Sequence, residues 1–271
     1  MFAWARQKIG EGLASYLGQP ISKYVPFSVT PARILRQHLR PGDVLLVEGD
    51  KRISVAIKYL TQSTWSHAAL YVGDLKDHGL AAGGENLLIE ADMKNGVIAV
   101  PLSKYRSLNT RICRPVGLAQ EDLDKIVRFM VDRIGLRYDL KHVFDLMRYL
   151  LPTPPVPVRW RRRMLSLGSG DPTRAICSTM IAQAFQSVQY PILPKIRVEA
   201  ADDGEGSRDL YQKRYHGLFT PRDFDLSPYF EIVKPTLEAG FDYKSLEWYE
   251  DSDEPDPAYR SADADNRSVG Q

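Results

Sequence analysis

The chain has 271 residues, an apolar fraction of 44% and a formal net charge of +2 at pH 7. This length allows one large domain with insertions or two small ones, and the composition is typical of a globular protein with a sizeable core. Only two cysteines, Cys113 and Cys177, are present. They exclude a disulfide-stabilised scaffold and a cysteine-cluster zinc site, and a lone reactive thiol suits a reducing compartment.

The N-terminal segment has neither a continuous apolar stretch nor a small-residue cleavage motif, so it is not predicted to be a secretory signal. No apolar run is long enough to span a bilayer. We therefore expect a cytoplasmic protein, with peripheral membrane attachment left open. Residues 250–271 carry a charge of −5, which leaves +7 on the rest of the chain. A moderately basic body tolerates anionic partners without predicting nucleic-acid binding.

The first segment, residues 1–19, is predicted to contain an amphipathic helix. Phe2, Ile9 and Leu13 fall on one face, whereas Lys8 and Glu11 fall on the other. Two interpretations stay open for residues 2–17. The helix packs on its own domain, or it anchors the protein at a membrane surface.

The next part of the chain is predicted to be a meander of short antiparallel strands. Alternating apolar residues and turn signals support this interpretation, and Lys94-Asn95-Gly96 is a strong hairpin signal. Residues 41–48 are predicted to form a turn and then a strand, and a second strand within 65–74 is predicted to begin with His67. Further strands are predicted at 87–91, 97–100 and 110–116. A short helix is predicted over 54–60.

A helix over 120–134 and a helical patch through Leu151 come next. Residues 152–163 then contain four prolines and four arginines around Trp160. This composition excludes a regular helix or a central strand and predicts an extended insertion near 152–170. The insertion is either a flap whose residues 159–163 bind anionic substrate or lipid headgroups, or a solvated excursion.

The last third of the chain is predicted to hold fewer regular elements. Residues 190–198 form an apolar segment interrupted by prolines, and residues 199–209 form an acidic loop. A turn and a closing strand at 230–233 follow within 218–233. Residues 246–271 are acidic and poor in aliphatic side chains, which predicts a disordered tail.

The stretch ICSTMIAQAF, residues 176–185, places Cys177 at the start of a predicted helix. Apolar residues recur there at helical spacing. Unpaired backbone N–H groups and the positive end of the helix dipole favour a thiolate, which is the form that attacks a carbonyl carbon. The alternative is that Cys177 is a small, inert core residue.

A cysteine nucleophile needs a base, and the base needs an orienting group. Among the five histidines, His67 differs because it opens a strand in an apolar, small-residue setting. Glu90 lies between apolar neighbours in LLIEAD, so its carboxylate needs a partner, and an imidazolium would be one. Structural roles for both residues stay open at this point. The remaining histidines are His38, His78, His142 and His216.

The chain contains the stretches GDVLLVEGD, WSHAALYVGD, LIEADMKNGVIAVPL and CSTMIAQAF. Taken together, these stretches resemble the YaeF/YiiX-type permuted papain-like amidases. These enzymes belong to the NlpC-type cysteine hydrolase superfamily, whose permuted branch includes lecithin retinol acyltransferase. In that branch the histidine strand precedes the cysteine helix, and here the two residues lie 110 positions apart in that order. The similarity covers roughly residues 38–233.

The resemblance implies an α+β, permuted papain-like fold in which a small curved antiparallel sheet or partial barrel packs against the helix that bears the nucleophile. Residues 20–245 would form a single catalytic domain. Cys177 would be the nucleophile, His67 the general base and then acid, and Glu90 the polar third member of the triad. Neither a metal nor an organic cofactor is implied.

Three functions follow as hypotheses. The first is a cysteine hydrolase that cleaves an amide, peptide or related acyl bond through a thioester. The second is a lipid-directed acyltransferase, thioesterase or phospholipase that uses the same triad at a membrane surface, with residues 2–17 and 159–163 as membrane contacts. The third is a non-catalytic binding module in which Cys177 is inert. The expected partners are a peptide, amide or lipid-acyl substrate.

Overall fold

The computed structural model describes residues 16, 18–20, 26, 29–74, 86–92, 95–136, 176–200, 207–238 and 240–248. The chain divides into two compact units, Met1–Pro235 and Thr236–Gln271. Within the described ranges, no helix combines the length and apolar character that crossing a membrane requires.

The first unit is built on a six-stranded sheet whose neighbouring strands are all antiparallel. Its spatial order is β4-β3-β2-β1-β5-β8. The remaining two strands, β6 and β7, pair only with each other in the described part of the chain. The strands are β1 Val44–Val47, β2 His67–Tyr71, β3 Asn86–Asp92, β4 Gly96–Pro101, β5 Thr110–Pro115, β6 Lys195–Ala200, β7 Ser207–Gln212 and β8 Phe230–Val233.

In the sequence, one helix of this unit precedes β1 and the others lie between strands. They are α1 Ala32–His38, α2 Arg52–Thr61, α3 Gln120–Val131, α4 Ile176–Ser187 and α5 Pro221–Leu226. Helix α4 contacts α3 and the strands β2 and β3. Mixed helices and an antiparallel sheet confirm the predicted α+β class.

Both faces of the sheet are covered, which explains why β1 is buried at every position. On the first face, Leu46, Ala68 and Ile89 join the cluster that includes α4. On the second face, Leu45, Ala69 and Leu88 pack with residues of α1 and of the turn after β4. Because side chains alternate along a strand, β2 and β3 each contribute to both clusters.

A buried ion pair holds the start of β1 to β5. Arg114 donates from Nε to Asp43 Oδ1 over 3.0 Å and from Nη2 to Asp43 Oδ2 over 2.8 Å. The Asp43 side chain is 1% exposed. Burial raises the pKa of this carboxyl, and the guanidinium opposes that effect. Arg114 therefore provides the charge that makes a buried carboxylate tolerable.

Several predicted elements occur in the structure with small differences in their ends. The closing strand occupies Phe230–Val233 as predicted. The predicted helix over 120–134 ends at Val131 and continues as turns through Gly135. The predicted strand within 65–74 is shorter, His67–Tyr71, and still begins with His67.

Two predictions were wrong in part. Residues 199–200 and 207–209, assigned to an acidic loop, lie in β6 and β7, because Ile196 and Val198 alternate with charged residues at strand spacing. The turn expected after Leu218 contains α5, a helix that begins at Pro221. Thr220 and Asp223 form a capping box at its start, which satisfies N–H groups that would otherwise be unpaired.

Other predictions fall outside the described residues. They are most of the helix at 2–17, the helical patch after Arg137, the proline and arginine insertion at 152–170, and the tail beyond Trp248. Helix α6, Pro235–Glu238, begins at the last residue of the first unit and continues in the second. The described part of the second unit also contains a 3-10 turn at Tyr243–Ser245. Asp242 accepts a hydrogen bond from the backbone N–H of Lys244 at that turn.

Candidate active site

The histidine and glutamate singled out in the sequence meet on neighbouring strands. His67 is the first residue of β2, and Glu90 lies within β3. The His67 Nε2 atom is 3.0 Å from Glu90 Oε2. The His67 side chain is 24% exposed, whereas the Glu90 side chain is 1% exposed. The carboxylate is thus buried behind an imidazole that still reaches solvent.

Cys177 is the second residue of α4, and its thiol contacts the start of β2. Interactions with the His67 ring and with the backbone N–H of Ala68 lower the pKa of this thiol, which places both groups next to the sulfur. Because Glu90 occupies Nε2, Nδ1 is the ring nitrogen left for the sulfur. The Ser178 hydroxyl lies 3.8 Å from Sγ. The structure therefore brings Cys177, His67 and Glu90 together as one chain of contacts.

Charge within this chain favours a thiolate and an imidazolium. Burial alone would lower the pKa of His67, but the negative charges of Cys177 and Glu90, with hydrogen bonds to both, raise it to about 10. Burial alone would raise the pKa of the Cys177 thiol, yet the charge and hydrogen bond of His67 lower it below its ordinary value. The thiolate is the form of cysteine that acts as a nucleophile in enzymes that use this residue.

Glu90 is held in its ionised form by three donors. Besides His67, it accepts hydrogen bonds from the Lys104 ammonium at Oε1 and from the Tyr105 hydroxyl at Oε2. Burial alone would raise the pKa of Glu90, but the charges and hydrogen bonds of His67 and Lys104 lower it to about 2. A fixed negative charge at this position keeps His67 oriented and positively charged.

Lys104 and Tyr105 were not among the predicted site residues. They belong to the 3-10 turn Leu102–Tyr105, which follows β4 directly. The sequence signal that could have indicated them is the β3–β4 hairpin, because antiparallel pairing returns the residues after β4 to a position beside β3. Nothing in the sequence pattern alone specifies that the turn aims both side chains at Glu90.

The second cysteine is also buried, but its pKa is shifted in the opposite direction to that of Cys177. Cys113 lies in the middle of β5 and is 0% exposed, whereas Cys177 is 5% exposed. Burial raises the pKa of the Cys113 thiol well above its ordinary value. A thiol that stays protonated inside a core is a poor nucleophile.

The other described histidines are placed differently from His67. His38 Nδ1 lies 2.8 Å from the carbonyl oxygen of Ile34, within α1. His216 begins a 3-10 turn, and its ring lies tilted against that of Tyr215 with 4.5 Å between the centroids. His78 and His142 lie outside the described residues. Within the described ranges, no three His, Cys, Asp or Glu side chains form a group suited to a metal ion.

Helix α4 is anchored so that its first turn is fixed against the sheet. Phe185 is fully buried and contacts Phe224 of α5, Phe230 of β8 and Tyr190, with ring centroids 5.2 to 6.5 Å apart. These tilted and edge-to-face contacts join the far end of the helix to the first-face core. The position of the Cys177 sulfur is therefore set by packing along the whole helix.

The segment before His67 is also fixed by polar contacts. The Ser66 hydroxyl accepts a hydrogen bond from the Gly49 N–H over 2.9 Å, and Ser66 is 2% exposed. The Trp65 indole N–H donates to Asp225 over 3.1 Å. These bonds tie the start of β2 to the loop after β1 and to α5, so the imidazole is presented from a rigid backbone.

The part of the chain that contains β2, β3 and the 3-10 turn after β4 matches a known family. Residues 38–149 match the model of the permuted papain-like amidase enzymes of the YaeF/YiiX type, the C92 family. The match confirms the resemblance that the motifs indicate, and it covers His67, Glu90, Lys104 and Tyr105. Cys177 lies beyond the matched residues.

Among solved structures, the chain is similar to the metalloprotein yiiX from Escherichia coli O157:H7. The two share 16% sequence identity with a TM-score of 0.42, and the alignment covers 72% of this chain and 96% of that one. A comparison with curated proteins gives no match.

Proposed function

We propose that this chain is a cysteine hydrolase that cleaves an amide or related acyl bond through a thioester on Cys177. The observation that supports it most strongly is the contact chain from the Cys177 thiol through the His67 ring to the Glu90 carboxylate. A buried, inert cysteine would show the raised pKa of Cys113 instead. The family match over residues 38–149 supports the same class of reaction.

In the acylation step, the Cys177 thiolate attacks the substrate carbonyl carbon and forms a C–S bond. The carbonyl oxygen becomes an oxyanion, and the backbone N–H of Cys177, at the start of α4, is the proposed donor that stabilises it. The tetrahedral intermediate collapses when the C–N bond breaks. His67 gives its proton to the leaving nitrogen, so a neutral amine departs and a neutral imidazole remains.

Deacylation reverses the role of the imidazole. Neutral His67 removes a proton from a water molecule as its oxygen attacks the thioester carbonyl. The C–S bond then breaks, the acid product leaves, and the Cys177 thiolate and His67 imidazolium are restored. Glu90 is not consumed in either step. It holds Nε2, so that Nδ1 stays directed at the sulfur and the ring is charged when the cycle begins.

Trapping the acyl-enzyme tests this proposal. The full chain is mixed with an activated acetyl ester, quenched in acid, and analysed by intact mass and peptide mapping. We expect an acetyl adduct on Cys177 that is retained in Cys113→Ser and lost in His67→Ala. An adduct confined to Cys113, or equal labelling with and without His67, would contradict the proposal. Hydrolysis of a panel of peptide, amide, thioester and lipid-ester substrates then identifies the acyl donor.

A further inference from the structure

The β6–β7 ribbon follows the cysteine helix in the chain and contributes no residue to the contact chain of Cys177, His67 and Glu90. Its base is tied to α4, since Gln186 Nε2 donates to the Arg214 carbonyl over 2.7 Å. Beyond that base, residues 195–198 and 209–213 are exposed. Neither outer edge of the ribbon pairs with another described strand.

The register of the ribbon gathers apolar side chains on one face. Ile196 pairs with Tyr211, and Val198 pairs with Asp209, so these four side chains lie on the same side of the ribbon. Ile196, Val198 and Tyr211 are 54%, 63% and 57% exposed. An isolated two-stranded ribbon is marginally stable in water, and an exposed strand edge is a template for further pairing. The outer edge of β6 therefore suits pairing with a further strand.

The sequence of β6 is complementary to itself in one antiparallel register. When β6 is laid antiparallel to itself about Val198, Arg197 stands opposite Glu199 of the second copy, and position 196 stands opposite position 200. Val198 of one copy then lies opposite Val198 of the other copy. Opposite charges are thus matched across the two strands, which is what stabilises cross-strand pairs. A register centred on Arg197 would instead set two guanidinium groups against each other.

We propose that β6 pairs antiparallel with β6 of a second copy of this chain about a two-fold axis at Val198. The result is a four-stranded sheet in the order β7-β6-β6-β7 across the two copies. Each Arg197 then pairs with a Glu199 of the other copy, as an isologous interface requires. Because one strand pair buries little surface, the dimer is weak and reversible, with a dissociation constant on the order of tens of micromolar.

Sedimentation equilibrium of the full chain from about 1 to 200 μM, a range that brackets this affinity, tests the proposal. We expect the apparent mass to rise with concentration toward that of a dimer. Val198→Lys places two ammonium groups at the axis and should weaken association at least about tenfold, since charged edge residues block pairing. Val116→Lys is the matched control, because Val116 is 57% exposed outside the ribbon. It should leave association unchanged.

A charge exchange tests the register itself. Arg197→Glu and Glu199→Arg should each be monomeric alone, because like charges then face each other across the axis. Mixed in equal amounts, the two variants should associate, because both acidic side chains of one variant then face both basic side chains of the other. Circular dichroism checks that both remain folded, since Glu199 also stands opposite Arg208 in its own ribbon. A monomer at every concentration, equal effects of Val198→Lys and Val116→Lys, or no association on mixing would overturn the proposal.

Discussion

Replacing Glu90 with Gln tests most directly whether the contact between Glu90 and His67 contributes to catalysis or only to the structure. The amide keeps the size of the side chain and removes the charge that three donors converge on. A hydrogen bond to a charged group contributes about 1.5–3 kcal/mol, so loss of this one from the transition state corresponds to a roughly 10- to 200-fold fall in kcat/KM. The alkaline limb of the pH profile, which lies near pH 10 where His67 loses its proton, should move to lower pH.

The same variant has a stability signature whose sign is fixed by the pKa of Glu90. The value of about 2 lies below the ordinary 4.5. The ionised carboxylate therefore stabilises the fold above pH 4.5, and this contribution is lost as the pH falls toward 2. The difference corresponds to roughly 3 kcal/mol. In urea unfolding, wild type should lose that stability as the pH falls from about 5 to about 2, whereas Glu90→Gln should not.

Glu231→Gln is the matched control for both measurements. Glu231 lies in β8 of the same sheet and its side chain is exposed. This variant should leave kcat/KM, the alkaline limb and the acid unfolding curve as in wild type. If Glu90→Gln also retained wild-type kcat/KM and pH dependence, the carboxylate would not act through His67, and the triad would be reduced to the thiol and the imidazole.

Three further predictions concern residues around the site. Lys104→Met removes one donor to Glu90, so the pKa of Glu90 should rise by NMR titration, and kcat should fall less than in Glu90→Gln with KM unchanged. Arg114→Met leaves Asp43 buried without its partner, which should cost about 3–5 kcal/mol in urea unfolding; a loss below about 1 kcal/mol would contradict that inference. Phe185→Ala opens a cavity beneath α4 and should cost about 3–5 kcal/mol by the same assay.

The three converging side chains could be found from the sequence because their local signals, each compatible by itself with a structural role, occur in the order of the family that the chain resembles. Cys177 begins an apolar-periodic helix, His67 opens an alternating strand, and Glu90 is a charge within an apolar run. Their order along the chain matches the permuted family. None of these signals depends on knowing which loops fold onto which strands.

The contacts that tune the site could not be read in this way. Lys104 and Tyr105 reach Glu90 because a 3-10 turn follows β4 and reverses toward β3. Their sequence, SKY, is compatible with many surface turns. The β6–β7 ribbon was missed for another reason. Acidic and glycine residues in 199–209 resemble a loop, and they obscured the strand alternation of Ile196 and Val198.

The helix α5 could have been predicted from its capping box. Thr220, Pro221 and Asp223 have the spacing of a helix start, with proline at the first helical position. The helix has only six residues, so its apolar periodicity is too short to recognise. Its importance lies in packing, because Phe224 joins the aromatic cluster that supports α4.

The most direct test of the thiolate–imidazolium pair is the pH dependence of alkylation at the two cysteines. Folded protein is treated with iodoacetamide from about pH 5 to 9.5, a range that brackets an ordinary thiol pKa, and peptide mapping gives a rate for each cysteine. We expect Cys177 to react well below neutral pH, with the acid-side reactivity lost in His67→Ala, while Cys113 stays unmodified. If Cys177 reacts only above about pH 8.5, as a free thiol does, or no faster than Cys113, no paired thiolate exists in this protein.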